Sequence, residues 1–389
     1  MQAAGIDVIS MSLGEPDMDT PEHIRRAAQE AIDSGWTHYG PVAGITSLRE
    51  AIASSQNANV SFEASDVIVS VGAKMAIFNA IQTVINPGDE VIIPMPSWVS
   101  YTEMVKVAGG KVVAVQTRYE NRYCLTAEEL RGALTEKTRM LILCSPNNPT
   151  GSVYSYEELK AIVKVLRDYP QVAVLSDEIY NCIVYRPTPN PSLKGGEHKF
   201  TSLPLREGAG LGLFPELQDR LIIVNGVSKA YAMTGWRIGW LISKNKDFIE
   251  ACTRLQGQQI TCATMVAQKA AEEALTGSQE CVAQMRQVFA ERRELIYRLA
   301  EEIPGWKFEK PQGAFYLFPD VSAIGGGDRI AEYLLEKAHV AVVSGSAFGC
   351  PECIRLSYAI STEEIIEAMK RIKRAIEGMK ELKNERLKE

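Results

Sequence analysis

Three apolar runs in this chain each end in a polar turn loaded with chemistry, and that repetition constrains the fold more than any other feature. Met140-Leu141-Ile142-Leu143-Cys144 runs into Ser145-Pro146-Asn147-Asn148-Pro149-Thr150-Gly151. Val172-Ala173-Val174-Leu175 leads to Ser176-Asp177-Glu178-Ile179-Tyr180, and Leu221-Ile222-Ile223-Val224 leads to Asn225-Gly226-Val227-Ser228-Lys229. Short apolar runs followed by Asn, Pro and Gly read as buried strands. In an open α/β sheet ligands sit beyond the carboxyl ends of the strands, so the three tips are expected to line one pocket.

Further strands are expected at 67–71, 90–93, 111–115 and 237–242, with a helix from Met75 to Ile85 after the turn Gly72-Ala73-Lys74. The total is a mostly parallel, seven-stranded sheet covered by helices on both faces. A phosphate at the start of the Met75 helix would meet free N–H groups and the favourable end of the helix dipole. From 246 to 301 the pattern is helical. Residues 306–309 and 313–318 read as strands of a smaller α+β domain, closed by a charged amphipathic helix from 362 to about 388. The expected division is a large domain at 36–290, and a small domain formed by 291–389 with the N-terminal segment 1–35. Within the former, 186–219 holds five prolines and five glycines and reads as a surface insertion without assigned chemistry.

A chain of 389 residues with 46% hydrophobic content can fill a sizeable core. Its net charge of -6 gives no support to nucleic-acid binding. It has neither an apolar run of membrane-spanning length nor the pattern of a signal peptide, so the cytoplasm is the expected location. Of eight cysteines only those in Cys350-Pro351-Glu352-Cys353 are closely spaced. One such pair is weak evidence for metal or redox chemistry, and incidental thiols are expected.

Lys229 lies eight residues before Arg237, among small residues that leave room for a ligand. A lysine drawn partly out of water has a lowered pKa, and its neutral amine can attack an aldehyde to form a Schiff base. Arg237 would offer a fixed guanidinium to a phosphate. From the spacing alone, a surface lysine beside an unrelated arginine remains an open alternative. Asp177, at the neighbouring strand tip, is a carboxylate able to stabilise a protonated pyridine nitrogen.

The segment from Gly226 to Gly239 closely resembles the lysine motif of the fold-type I, pyridoxal-phosphate-dependent class I aminotransferases. Agreement runs from Ser12-Leu13-Gly14-Glu15-Pro16-Asp17 to Arg355-Leu356-Ser357-Tyr358-Ala359, and is greatest with the gamma subgroup of aspartate and aspartate/prephenate aminotransferases. The resemblance implies a ping-pong transfer of an amino group between an L-amino acid, with aspartate or glutamate expected, and a 2-oxo acid. Lys229 would anchor pyridoxal 5'-phosphate and carry the proton; Asp177 would face the pyridine nitrogen; Tyr180 and Asn148 would reach the phenolic oxygen. Trp98 would stack on the ring and approach the substrate. Arg237, Ser228 and the N–H groups of Ala73 and Lys74 would hold the phosphate, joined by Tyr39 from the partner subunit of a homodimer. Arg355 would clamp the substrate's α-carboxylate, with Gly14 and Asn148 beside it.

The same resemblance admits a carbon–sulfur or β-elimination lyase, or an aminotransferase with aromatic, alanine or prephenate specificity. The Gly14 motif arrives earlier than in the family, whose leading segment helps cover the substrate. A free-standing enzyme is therefore expected, rather than a ligand-sensing module fused to a DNA-binding domain.

Overall fold

The computed structural model describes residues 1, 5–56, 60–185 and 210–386. After a two-residue strand β1 (Ile9–Ser10), seven strands build the central sheet: β2 (Val67–Ser70), β3 (Glu90–Met95), β4 (Lys111–Gln116), β5 (Thr138–Cys144), β6 (Ala173–Asp177), β7 (Leu221–Gly226) and β8 (Gly239–Ile242). Their order in space is β2-β8-β7-β6-β5-β3-β4. Only β8 runs against its neighbours, pairing antiparallel with both β2 and β7. The expected mostly parallel, seven-stranded α/β sheet is what forms.

The strands read as unbroken apolar runs because both faces are covered. Ile68, Ile93, Ile142, Leu175 and Val224 enter one core, while Val67, Ile92, Leu141, Val174 and Ile223 enter the other. Helices α1 (Glu22–Asp33), α2 (Thr46–Gln56), α3 (Gly72–Val84), α4 (Ser100–Val107), α5 (Ala127–Ala133) and α6 (Tyr156–Leu166) precede the single turn α7 (Val227–Ala230). The helical stretch that follows divides into α8 (Lys246–Gln259), α9 (Met265–Thr276) and α10 (Glu280–Glu301). Helices α5 and α6 start at full capping boxes, Thr126 with Glu129 and Ser155 with Glu158.

The smaller body holds β9 (Tyr316–Leu317), β10 (Val340–Ala341), β11 (Val343–Ser344) and β12 (Ile354–Ser357), with α11 (Gly327–Tyr333) and α12 (Thr362–Arg386). β12 is the centre of an antiparallel three-stranded sheet, while β10 pairs with β1. The strands expected at 306–309 and 313–318 shrink to Tyr316–Leu317, with Lys307 making one isolated bridge to Asp320. Here close approach overrides the apolar pattern. A Cβ on Gly313 would lie 2.5 Å from Pro146, and Ala314 has a left-handed φ of 56°.

The domain division anticipated at residue 290 falls inside the continuous helix α10, and α1 packs against α9 on the large body. Of the anticipated insertion, 186–209 lies outside the described residues. Residues 210–219 are no surface loop: Leu211, Leu213, Phe214 and Leu217 are buried in the second core. Among the described residues no helix is long and apolar enough to cross a membrane.

Candidate active site

The tips of β5, β6 and β7, the start of α3 and the strand β12 enclose a cavity of about 320 Å³. Lys229 lines it from α7, a helical turn where a simple turn was expected. Gly226 makes this possible, since a Cβ there would lie 2.9 Å from the Cα of Gly239 across the β7–β8 pair. The Lys229 ammonium donates to the carbonyl oxygen of Gly14 at 2.6 Å. Burial is the main cause that pulls its pKa down to about 8; Glu15 opposes, while the Arg237 and Arg355 charges pull the same way.

Asp177 ends β6 on the cavity wall. One carboxylate oxygen accepts from the Tyr101 hydroxyl at 2.6 Å, the other from the Ile179 N–H at 3.1 Å. Burial pushes the carboxyl up, against the pull of those two bonds and the Lys229 charge. Tyr101 was not anticipated. Its signal was the spacing Trp98-Val99-Ser100-Tyr101, which sets the Trp98 ring edge-on to Tyr101 at 5.3 Å.

At the other end of the cavity Ala73 and Lys74 occupy the first turn of α3, whose N-terminus has no side-chain cap. Its first N–H groups are thus available to an anion. Gly72, with φ at +77°, lets Arg237 lie close: a Cβ would sit 2.5 Å from its Nη2. Gly239 is tighter still, its missing Cβ falling 2.2 Å from the Ala73 nitrogen. Arg237 was expected to begin β8, but its left-handed φ of 59° delays the strand to Gly239. Ser228 also lines the cavity.

Arg355 reaches in from β12. Its Nη1 donates to the Asn148 side-chain oxygen at 2.9 Å and its Nη2 to the Ser12 carbonyl at 2.7 Å. The guanidinium lies over the ring of Tyr316, 4.5 Å from its centroid, and Nε is buried without a hydrogen-bond partner among the described residues. The Tyr316 hydroxyl shares a 2.8 Å hydrogen bond with that of Tyr180. Asn148 and Tyr180, expected to share one acceptor, thus line the same cavity while engaged with Arg355 and Tyr316. Tyr316 was also missed as a site residue, because its partners are far off in sequence.

The Lys74 ammonium sits 4.9 Å from the Trp98 ring centroid, and both line the cavity. Tyr39 does not; its side chain is 89% exposed on the same chain. Among the described residues no group of three or more His, Cys, Asp or Glu could hold a metal ion.

A family model described as aminotransferase class I and II matches residues 6–372. The chain belongs to the class I and II aminotransferases. This aminotransferase is 42% identical to the aspartate aminotransferase of Bacillus sp. (strain YM-2) over 97% of its own length and 93% of that protein's. It is 40% identical to a probable aspartate/prephenate aminotransferase of Aquifex aeolicus, with the same two coverages. Among solved structures, the Rhizobium meliloti aspartate aminotransferase matches with a TM-score of 0.88 at 38% identity, covering 97% of the aminotransferase and 93% of that chain. The aromatic aminotransferase of Pyrococcus horikoshii also gives 0.88, at 36% identity, with coverages of 97% and 98%. Members of this family are pyridoxal-phosphate-dependent transaminases acting on amino acids and 2-oxo acids.

Proposed function

We propose that this aminotransferase uses pyridoxal 5'-phosphate to move an amino group between a dicarboxylic L-amino acid, aspartate or glutamate, and a 2-oxo acid. The observation that carries the reading is the Lys229 amine, lowered to about 8 on the wall of a cavity that also presents Asp177, Arg237 and Arg355. The donor set fits the cofactor. An uncapped helix start and Arg237 suit a phosphate, a buried carboxylate suits a protonated ring nitrogen, and a partly neutral amine suits an aldehyde.

Pyridoxal phosphate, when bound, supplies an aldehyde that captures amines and a ring that delocalises the electron pair left when the substrate's α-proton departs. Lys229 would hold it covalently and, once freed by the incoming amine, carry a proton from the substrate's α-carbon. Asp177 would keep a proton on the ring nitrogen, with Tyr101 and the Ile179 N–H fixing the carboxylate's orientation. Trp98 offers a flat apolar face, and Tyr180 and Asn148 offer hydrogen-bond donors on the cavity wall. Arg355 would grip the α-carboxylate through its two-pronged fork. Lys74 is then the cavity-lining cation left for a second carboxylate. Its perch on Trp98 holds that exposed charge beside the cavity wall. The exposed Tyr39 supports a homodimer in which its phenol serves the partner's phosphate.

The test is chemical. Purified protein should be yellow, borohydride should fix the chromophore to Lys229, and aspartate with 2-oxoglutarate should give oxaloacetate and glutamate. A label on another lysine would overturn the anchor. Ammonia plus a keto acid would instead identify a lyase.

A further inference from the structure

The Cys350-Pro351-Glu352-Cys353 segment directly precedes β12, the strand that carries Arg355. The Cys353 N–H donates to the Cys350 carbonyl at 3.1 Å, which makes the four residues a β-turn with proline at its favoured second position. Such a turn holds its end Cα atoms under ~7 Å apart, the limit within which a disulfide can close. The sulfurs already face each other at 3.4 Å, and the one Cys350 S–H can donate to the Cys353 Sγ or to the Glu352 carboxylate at 3.5 Å. Cys350 is partly exposed, whereas Cys353 is fully buried against Phe318 and Phe348. The Tyr123 hydroxyl stands 3.5 Å from the Cys353 sulfur, so two groups can hydrogen-bond a thiolate there. Among the described residues no third His, Cys, Asp or Glu completes a metal set around the pair.

We infer that Cys350 and Cys353 form a reversible dithiol–disulfide site whose co-substrate is a small-molecule disulfide. Cys350 loses its proton and its sulfur bonds to one sulfur of the external disulfide, whose other half leaves as a thiolate and takes up a proton. Cys353 then gives up its proton and its sulfur bonds to the Cys350 sulfur, closing the internal bond and expelling the second thiolate, which takes up a proton. Two electrons pass from the cysteines to the external disulfide, which is reduced to two thiols. Burial depth sets the order, because only Cys350 meets an outside reagent. The hydrogen bond to Cys353, then burial and the Glu352 charge, push the Cys350 thiol up. That lowers the thiolate fraction and slows attack on peroxide and disulfide alike, so closure requires the disulfide in excess.

The native protein is incubated with excess glutathione disulfide, quenched in acid, alkylated and mapped by mass spectrometry. The expected product lacks two hydrogens, links Cys350 to Cys353 and is restored by dithiothreitol. Cys353→Ser should stop at a glutathione adduct on Cys350, and Cys350→Ser should leave Cys353 reduced. A wild-type protein that keeps a stable glutathione adduct on Cys350, or whose two thiols alkylate as fully as in the untreated sample, would overturn the assignment.

Discussion

Arg355 and Asn148 are 207 residues apart in sequence, yet the guanidinium of one donates to the side-chain oxygen of the other at 2.9 Å. That bond joins the central strand of the smaller body to the loop after β5, and it aims the fork of Arg355 across the cavity. Lysine would keep the charge and lose the fork. Arg355→Lys should raise KM for every amino donor by roughly ten- to a hundred-fold, from the ~1.5 to 3 kcal/mol carried by hydrogen bonds to charged groups. Steady-state kinetics with several donors checks this; an effect confined to dicarboxylates would assign Arg355 to the wrong carboxylate.

For Asp177→Asn the expected result is retained cofactor with a transamination rate down by several decades, if the lost electrostatic stabilisation is ~3 to 5 kcal/mol. Tyr101→Phe removes only the 2.6 Å donor to the same carboxylate and should fall between that variant and wild type. Single-turnover absorbance measurements give both rates. A Tyr101→Phe rate equal to wild type would remove Tyr101 from the positioning role.

In cofactor-free protein, amine labelling of Lys229 should titrate near about 8 instead of the ordinary 10.5. Between those values the folded chain binds fewer protons than the unfolded one, so stability rises with pH through that window. Below it the full cost of a charged, desolvated amine is present. Lys229→Met should therefore stabilise the cofactor-free fold at pH 7 by something on the order of 3 kcal/mol, and by little above the upper limit. Urea melts at the two pH values test the sign.

Lys74→Ala should lower selectivity for aspartate over alanine. Because Lys74 is exposed, a loss of ~1 to 2 kcal/mol is expected, roughly five- to thirty-fold in the ratio of kcat/KM. An unchanged ratio would place the second carboxylate elsewhere.

Mixing Lys229→Ala chains with Tyr39→Phe chains tests shared sites. Mixed dimers should contain one site with both lesions and one with neither, recovering toward half of a wild-type dimer's activity. Tyr39→Phe alone should weaken cofactor retention by about 1 to 3 kcal/mol. An active monomer in sedimentation would end the composite-site reading.

Much of this architecture was legible because the chemistry sits at the ends of strands buried on both faces, where the apolar run marks the strand and the polar turn marks its tip. Lys229, Asp177 and Asn148 carry that local signal. Tyr316 does not. It meets Tyr180 across 136 residues and lies in a strand of two residues, too short for alternation to register. Tyr101 meets Asp177 across 76 residues and reads locally as a helix residue. The overlong strands at 306–309 and 313–318 fail for a related reason: Gly313 is required by contact with Pro146, which no local pattern records.

The strand that follows Arg237 and the strand that carries Arg355 are not held alike. β8 is registered by four residue pairs on each side, against β2 and β7, so a slip of one residue would have to break both ladders at once. β12 has two pairs on each side, against β11 and β9. The ladders beside Arg237 are thus longer than those that hold β12, whereas the Arg355 side chain itself is buried and bonded to Asn148 and Ser12 while Arg237 is exposed. A register or loop change in the short strands of the smaller body would therefore move the guanidinium proposed to grip the α-carboxylate of every donor and leave Arg237 in place.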